Sequence, residues 1–167
     1  MGDSRVSAVN SRHNDFSGLC RTGGNTSVIV RFPDDTFVTA RGRLGLVATE
    51  SIRTPDFAVY LDDRWAEDPE VTWPYQMVTW PDFGLPVNEV EVFDLVRDIH
   101  GRASSGELVE IACYGGLGRT GTVLGCLAIV AGVDAGSSVH WIREHYDHRA
   151  IETSDQEAFI ARFAQSL

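Results

Sequence analysis

The sequence predicts an α/β fold in which a central, mainly parallel sheet is flanked by helices on both faces. Segments rich in β-forming residues concentrate in the N-terminal half, and an apolar run at residues 108–112 lies between two helical patterns. Two further helical patterns follow toward the C-terminus. Strands that are joined through helices form parallel sheets, and the helices then cover the faces of those sheets.

The first strands are predicted to form a hairpin. Residues 27–32 and 36–40 are rich in β-forming side chains and flank the turn sequence Pro33-Asp34-Asp35. Such a turn between two β-rich runs is a hairpin signal. Further strand candidates, each a short run with apolar residues, are residues 44–49, 57–61 and 75–80.

The first helix is predicted to begin at a capping box. Asn88 is followed three residues later by Glu91, and Gly101 is expected to follow the end of the helix. The apolar stripe that should face the core consists of Val90, Phe93, Val96 and Ile99.

Three more helices are expected after the central strand at residues 108–112. The first covers residues 124–131 and ends at Gly132. The second is capped by Asp134 or Ser137, and the third by Thr153 or Ser154. Their predicted core residues are Val139, Ile142, Tyr146, Phe159, Ile160 and Phe163.

Length and composition limit the classes of protein to consider. The 167 residues suit one domain, in which residues 1–25 form a mobile or irregular polar arm. A net charge of −10 argues against nucleic acid or an anionic membrane as the main partner. The odd number of cysteines, three, suits a reducing compartment, and neither a signal peptide nor a membrane span is visible. We therefore expect a cytoplasmic protein, monomeric, with no nucleic-acid or membrane partner.

The glycine-rich segment after the central strand is the main functional candidate. In residues 113–121 a thiol, Cys113, and a guanidinium, Arg119, bracket a turn that leads into a buried helix. Backbone N–H groups and the positive helix end would bind an anion there and favour the thiolate form of the cysteine. Arg119 would donate two hydrogen bonds to a bound oxyanion.

Alternatives for this segment remain. One alternative is a dinucleotide-binding site, because the spacing of Gly116, Gly118 and Gly121 fits the pattern G-x-G-x-x-G. That pattern needs an acidic residue about 20 positions on to bind the ribose, and Asp134 comes too early. A nucleotide-triphosphate loop would need glycine in place of Cys113 and lysine in place of Arg119. A plain glycine turn with a buried cysteine is the last alternative.

A lone carboxylate lies on a second constrained loop. Asp82 occurs in Trp80-Pro81-Asp82-Phe83-Gly84-Leu85-Pro86, directly after a predicted strand. Taken alone, the motif is equally consistent with an ordinary surface turn, for which aspartate, proline and glycine are common. However, ligand sites of parallel sheets lie at the carboxyl ends of the strands, so Asp82 and Cys113 should share one edge.

Three segments resemble the dual-specificity branch of the protein tyrosine phosphatase superfamily. Residues 113–120 fit the pattern Cys-x5-Arg-Ser/Thr and are similar to the loop of kinase-associated phosphatases. Trp80-Pro81-Asp82 resembles the mobile general-acid loop (the WPD loop), and residues 151–156 resemble the segment with a water-positioning glutamine. The resemblance covers about residues 75–163 and implies the compact fold of that branch, because no tyrosine-recognition loop is found.

The resemblance implies a role for each matching residue. Cys113 would attack phosphorus and form a phosphocysteine, and Asp82 would protonate the leaving oxygen. Thr120 would ease departure of the thiolate, and Gln156 would orient water. The phosphate-binding groups would be Arg119 and the loop residues Tyr114, Gly115, Gly116, Leu117 and Gly118. No metal and no cofactor is needed, because backbone dipoles and Arg119 neutralise the phosphate.

One departure from the family is visible in the loop. Ala112 stands where the family usually has a histidine that braces the loop. The resemblance implies a phosphatase for phosphotyrosine in proteins or peptides, with phosphoserine and phosphothreonine as further substrates. The alternatives are a phospho-binding regulator without catalysis and a phosphatase of small molecules.

Overall fold

A computed structural model describes residues 28–43, 54–68 and 71–167. The predicted arm at residues 1–25 and the apolar run at residues 44–49 lie outside these ranges. The described strands form one five-stranded sheet in the order β1-β2-β5-β3-β4, in which β1 is antiparallel to β2 and the other pairs are parallel. The strands are β1 (Val28–Arg31), β2 (Phe37–Gly42), β3 (Phe57–Tyr60), β4 (Tyr75–Met77) and β5 (Val109–Cys113).

Helices flank this sheet. The α-helices are α1 (Glu89–Ser104), α2 (Gly118–Val130), α3 (Ser138–His145) and α4 (Ser154–Gln165). They pack on the sheet face that carries Val59, Val109 and Ile111. A short 3-10 helix, Asp63–Glu67, lies against the opposite face, where Trp65 stacks on Tyr60 with ring centroids 4.5 Å apart. The predicted mainly parallel sheet flanked by helices is confirmed.

The predicted hairpin is confirmed, with Val30 opposite Val38 and the turn between them. Asp35 adopts a positive φ of 67°, and the Asp34 carboxylate accepts hydrogen bonds from Thr36. Strand β4 is shorter than predicted, because after the Val78 N–H, which donates to the Tyr60 carbonyl at 2.9 Å, the chain leaves the ladder and leads into the loop of Asp82. Proline has no N–H for a ladder, and Pro81 follows at once.

Helix α1 begins as predicted, since the Asn88 side chain accepts a hydrogen bond from the Glu91 N–H at 3.2 Å. The predicted end at Gly101 is wrong, because the helix continues to Ser104 and Gly106 turns the chain with φ +91°. Ala103 explains the extension, because its buried side chain adds a last turn of core contact. The stripe is also shifted, for Val90 is 66% exposed. The residues of α1 that are buried are Val92, Leu95, Val96, Ile99 and Ala103.

Strand β5 lies at the centre of the sheet, and all of its residues are buried. On the face away from the α-helices, Glu110 forms an ion pair with Arg41 of β2 at 2.8 Å and accepts a hydrogen bond from the Tyr60 hydroxyl of β3 at 3.0 Å. These contacts join three neighbouring strands directly below the glycine-rich segment. Within the described ranges, no helix is long and apolar enough to cross a membrane.

Candidate active site

Cys113 is the last residue of β5 and lies at the carboxyl edge of the sheet, opposite Gly42 of β2. Its side chain is buried, with 2% exposed, and Sγ accepts a hydrogen bond from the Gly116 N–H at 3.1 Å. The loop of residues 114–117, here called the Cys113 loop, leads into α2 at Gly118. A strand, a glycine loop and a helix N-terminus therefore surround the thiol, which is the arrangement of an anion site.

Backbone packing fixes the shape of the Cys113 loop. A Cβ on Gly42 would lie 2.7 Å from the carbonyl of Gly115, and a Cβ on Gly116 would lie 2.7 Å from the Gly42 nitrogen. Gly116 also has φ +80°, which side chains rarely adopt. In addition, the Arg43 N–H donates to the Tyr114 carbonyl at 2.9 Å. The end of β2 therefore supports the loop through its main chain.

Arg119 connects the Cys113 loop to two other segments. Its guanidinium is buried, and Nη1 donates to the Trp80 carbonyl at 2.9 Å. Nη2 lies 2.9 Å from Asp62 Oδ2 and 3.1 Å from Asp82 Oδ1. The predicted acid and the predicted anion-binding arginine thus lie in direct contact.

Asp82 lies on a tight loop that Trp80 anchors. The Trp80 ring is buried against Phe159 of α4, and its Nε1 donates to the Gly84 carbonyl at 2.8 Å. The Gly84 N–H donates to the Pro81 carbonyl at 3.0 Å, which closes the turn. The Asp82 side chain is 53% exposed, so a substrate can reach it from solvent.

Asp62 is a site residue that sequence reasoning missed. It follows β3, its side chain is 2% exposed, and its Oδ2 accepts from both Arg119 and Arg64. Burial alone would raise the pKa of this carboxyl, but the hydrogen bonds of Arg64 and the charge of Arg119 bring the pKa below its usual value. A polar residue directly after a strand was the signal that could have found it, as it did for Asp82.

The segment with Gln156 packs on the start of α2. A Cβ on Gly118 would meet the side chains of both Glu152 and Gln156. Gln156 is fully buried, and its Oε1 accepts from the Glu152 N–H at 2.8 Å. Its Nε2 has no hydrogen-bond partner among the described residues, and neither has the Thr120 hydroxyl. The predicted capping bond from the Gln156 N–H to Thr153 is confirmed at 3.2 Å.

A family profile named protein-tyrosine phosphatase matches residues 37–163, which include all of these segments. The chain belongs to the protein tyrosine phosphatase family. It is accordingly a phosphatase of this fold, and the resemblance noted in the sequence is confirmed.

Individual proteins and solved structures are similar to parts of the chain. An uncharacterized protein of Methanocaldococcus jannaschii is 39% identical over 103 residues, which are 60% of this chain and 67% of that protein. The crystal structure of Tk-PTP in its active form matches with a TM-score of 0.58 and 25% identity, over 68% of this chain and 80% of that one. Kinase-associated phosphatase, crystallised with serine in place of its catalytic cysteine, matches with a TM-score of 0.66 over 84% of this chain and 96% of that one. Its 15% identity shows the common fold alone.

Ala112, which departs from the family pattern, packs in an aromatic cluster. Its neighbours on the sheet face opposite the α-helices are Ala58, Tyr60 and Trp65, and all are fully buried. Trp65 packs in the same cluster as the short alanine side chain. Alanine has no polar group, so position 112 supplies no side-chain hydrogen bond to the Cys113 loop.

The part of the chain that the structure describes contains no cluster of metal-ligand side chains. No group of three or more histidine, cysteine or carboxylate side chains is placed there to hold a metal ion. Cys113 and Cys126 are both free thiols. The predicted anion-binding groups, Arg119 and the N–H groups of the Cys113 loop, need no metal ligand beside them.

Proposed function

We propose that the chain hydrolyses phosphotyrosine in proteins or peptides through a phosphocysteine at Cys113. The observation that supports this most is Arg119, which lies 3.1 Å from the Asp82 carboxylate and donates to the Trp80 carbonyl. This contact brings together the arginine and the carboxylate that the proposed reaction needs, as phosphate ligand and as proton donor. An anion-binding module would not need the donor.

In the first step, the Cys113 thiolate attacks phosphorus, and the bond from phosphorus to the tyrosine oxygen breaks. Protonated Asp82 gives its proton to that leaving oxygen. The N–H groups of the Cys113 loop and the Arg119 guanidinium hold the equatorial oxygens, on which negative charge is spread. Arriving phosphate competes with Asp82 for Arg119, which releases the Asp82 side chain to reach the leaving oxygen.

In the second step, water attacks phosphorus, and the bond between sulfur and phosphorus breaks. The Asp82 carboxylate accepts the proton of the water, and inorganic phosphate leaves. In this proposal that water is oriented by Gln156 Nε2, which is buried beside Gly118 and has no hydrogen-bond partner among the described residues. The Thr120 hydroxyl, also buried without a partner in the described ranges, is available to stabilise the departing thiolate.

The rim of the site supports an aromatic substrate. The Arg64 guanidinium lies 3.5 Å from the centre of the Tyr114 ring, and Phe83, next to Asp82, is 60% exposed. The exposed Phe83 ring and the planar guanidinium of Arg64 are flat surfaces on which a phosphotyrosine ring can stack, and phosphoserine and phosphothreonine are proposed as further substrates. In this proposal the loop of Asp82 acts as the general-acid (WPD) loop. A catalytic thiol must stay reduced, so the proposal also takes the protein to be cytoplasmic. It takes the protein to be a monomer as well.

Cys113→Ser, assayed with an aryl phosphate and a panel of phosphopeptides, tests this function. Turnover should fall to background in this variant, whereas Cys126→Ser, the same change at the other described free thiol, should retain it. Unchanged turnover in Cys113→Ser would refute the thiolate mechanism. Stable phosphopeptide binding by the wild type without phosphate release would instead indicate a non-catalytic regulator.

A further inference from the structure

Gly116 holds a central place in the Cys113 loop, because the two peptides that it joins face different groups. Its N–H donates to Cys113 Sγ at 3.1 Å, and its Cα side packs on the backbone of Gly42. Its carbonyl accepts a hydrogen bond from the hydroxyl of Tyr146. Glycine adopts its φ of +80° as readily as a negative φ, so the backbone of this residue does not by itself select one conformation, and the contacts with neighbouring groups do.

Tyr146 reaches this carbonyl from the far end of α3. It caps that helix, and its N–H donates to the Ile142 carbonyl at 2.9 Å. Burial, followed by the charge of nearby Cys113 and then of Asp147, raises the pKa of the Tyr146 hydroxyl well above its ordinary value. The hydroxyl therefore keeps its proton at neutral pH and serves as a donor.

The geometry of the peptide group gives this bond a consequence for phosphate. In a planar trans peptide the carbonyl and the N–H point in opposite directions. When Tyr146 holds the Gly116 carbonyl, it also sets the direction of the Leu117 N–H, which belongs to the same peptide. Leu117 is the N-cap of α2, where N–H groups lack acceptors within the helix. Hydrogen bonding at the carbonyl also strengthens the N–H as a donor.

We propose that Tyr146 is a positioning residue that fixes the Gly116–Leu117 peptide, so that the Leu117 N–H faces the bound phosphate. This brace from α3 replaces the one that the family places just before the nucleophile, where this chain has Ala112 packed against Trp65. The inference rests on the proposed function, since the phosphate is the anion that the proposed reaction binds.

Tyr146→Phe removes the hydroxyl and leaves the ring, and Tyr75→Phe is the matched control on an exposed tyrosine. The first readout is the concentration of inorganic phosphate that halves the rate at which iodoacetate alkylates Cys113. This readout needs no turnover, so it tests the brace even if the proposed function fails. The second readout is kcat and KM on an aryl phosphate. Both are taken at a temperature at which circular dichroism shows each variant folded.

For Tyr146→Phe, the protecting phosphate concentration should rise about tenfold, as expected for one lost hydrogen bond, and kcat should fall by about the same factor. Tyr75→Phe should match the wild type in both. A purely structural role would lower the melting temperature and leave phosphate protection unchanged. Equal protection in Tyr146→Phe and Tyr75→Phe would overturn the inference, and an inactive wild type with tenfold weaker protection in Tyr146→Phe would overturn only the proposed function.

Discussion

Replacing Asp62 by asparagine should impair both stability and catalysis, because Asp62 and Arg119 form a buried pair. The two side chains are 2% and 4% exposed, and Oδ2 lies 2.9 Å from Nη2. Asparagine keeps the shape of the side chain but removes the charge that balances the buried guanidinium.

The magnitude follows from what Arg119 retains in the variant. Breaking a buried ion pair by removing one partner costs about 3–5 kcal/mol. Arg119 still donates to the Trp80 carbonyl and contacts Asp82, and the new amide oxygen still accepts one bond. We therefore expect the lower end of that range, about 3 kcal/mol, which lowers the melting temperature by roughly 6–12 °C in a chain of this size.

Catalysis should also decline, because the loss of the Asp62 charge lets the Arg119 guanidinium move from the position in which it would hold the phosphate. Deleting one donor to the transition state costs about 10²–10³ in kcat, and a displaced donor retains part of its effect. The kcat of Asp62→Asn on an aryl phosphate should thus fall between about tenfold and a hundredfold. Asp63→Asn is the matched control, because it makes the same change one residue along at an exposed position.

The difference in stability between the wild type and Asp62→Asn should also shrink as the pH falls. The pKa of Asp62 is lower in the folded protein than in the unfolded chain, so its charge stabilises the fold above about pH 4. This contribution is lost as the pH falls through the folded pKa, and the curves of wild type and Asp62→Asn should converge there. If Asp62→Asn matched Asp63→Asn in kcat and in melting temperature, the role assigned to Asp62 would be refuted.

Two further substitutions test the loops around Cys113. Asp82→Asn should slow hydrolysis of poor leaving groups by about 10²–10⁴ and of a nitrophenyl phosphate by less than about tenfold, and equal losses for both substrates would exclude Asp82 as the acid. Gly42→Ala should destabilise the protein by about 1–3 kcal/mol and reduce kcat, because its Cβ would lie 2.7 Å from the Gly115 carbonyl. Gly101→Ala, in α1, is its control, because a Cβ at this position would meet nothing within 4 Å. Measured by chemical denaturation, Gly101→Ala should raise the free energy of unfolding by about 0.5–1 kcal/mol. A stable and active Gly42→Ala would contradict the backbone packing described for the loop.

Local patterns in the sequence predicted much of the fold and the residues of the candidate site. The cysteine and the arginine of the glycine loop are six positions apart, and Asp82 follows a strand, so motif and strand-end rules could find all three. The roles of Cys113, Asp82, Thr120 and Gln156 remain predictions until they are assayed.

Contacts between segments that are distant in the sequence could not be predicted from local patterns. Asp62 is 57 positions from Arg119, and no periodicity links them. Tyr146 was assigned to the core by its helical spacing, yet its hydroxyl contacts a loop 30 positions away. The end of α1 was misplaced because the packing of Ala103 in the core outweighs the low helix propensity of Gly101.

The Cys113 loop owes its shape to main-chain contacts with Gly42 and Arg43, and its outward side chains contribute little to that shape. Tyr114 is half-buried, and Gly115 is exposed with room for a Cβ that nothing within 4 Å would touch. Under the proposed function, the chemistry and the choice of substrate would therefore belong to separate parts of the same short segment. Substitutions at positions 114 and 115 would then change which molecules enter while the main-chain contacts of the loop stay intact. A library of variants at these two positions would offer new substrate ranges without rebuilding the reaction.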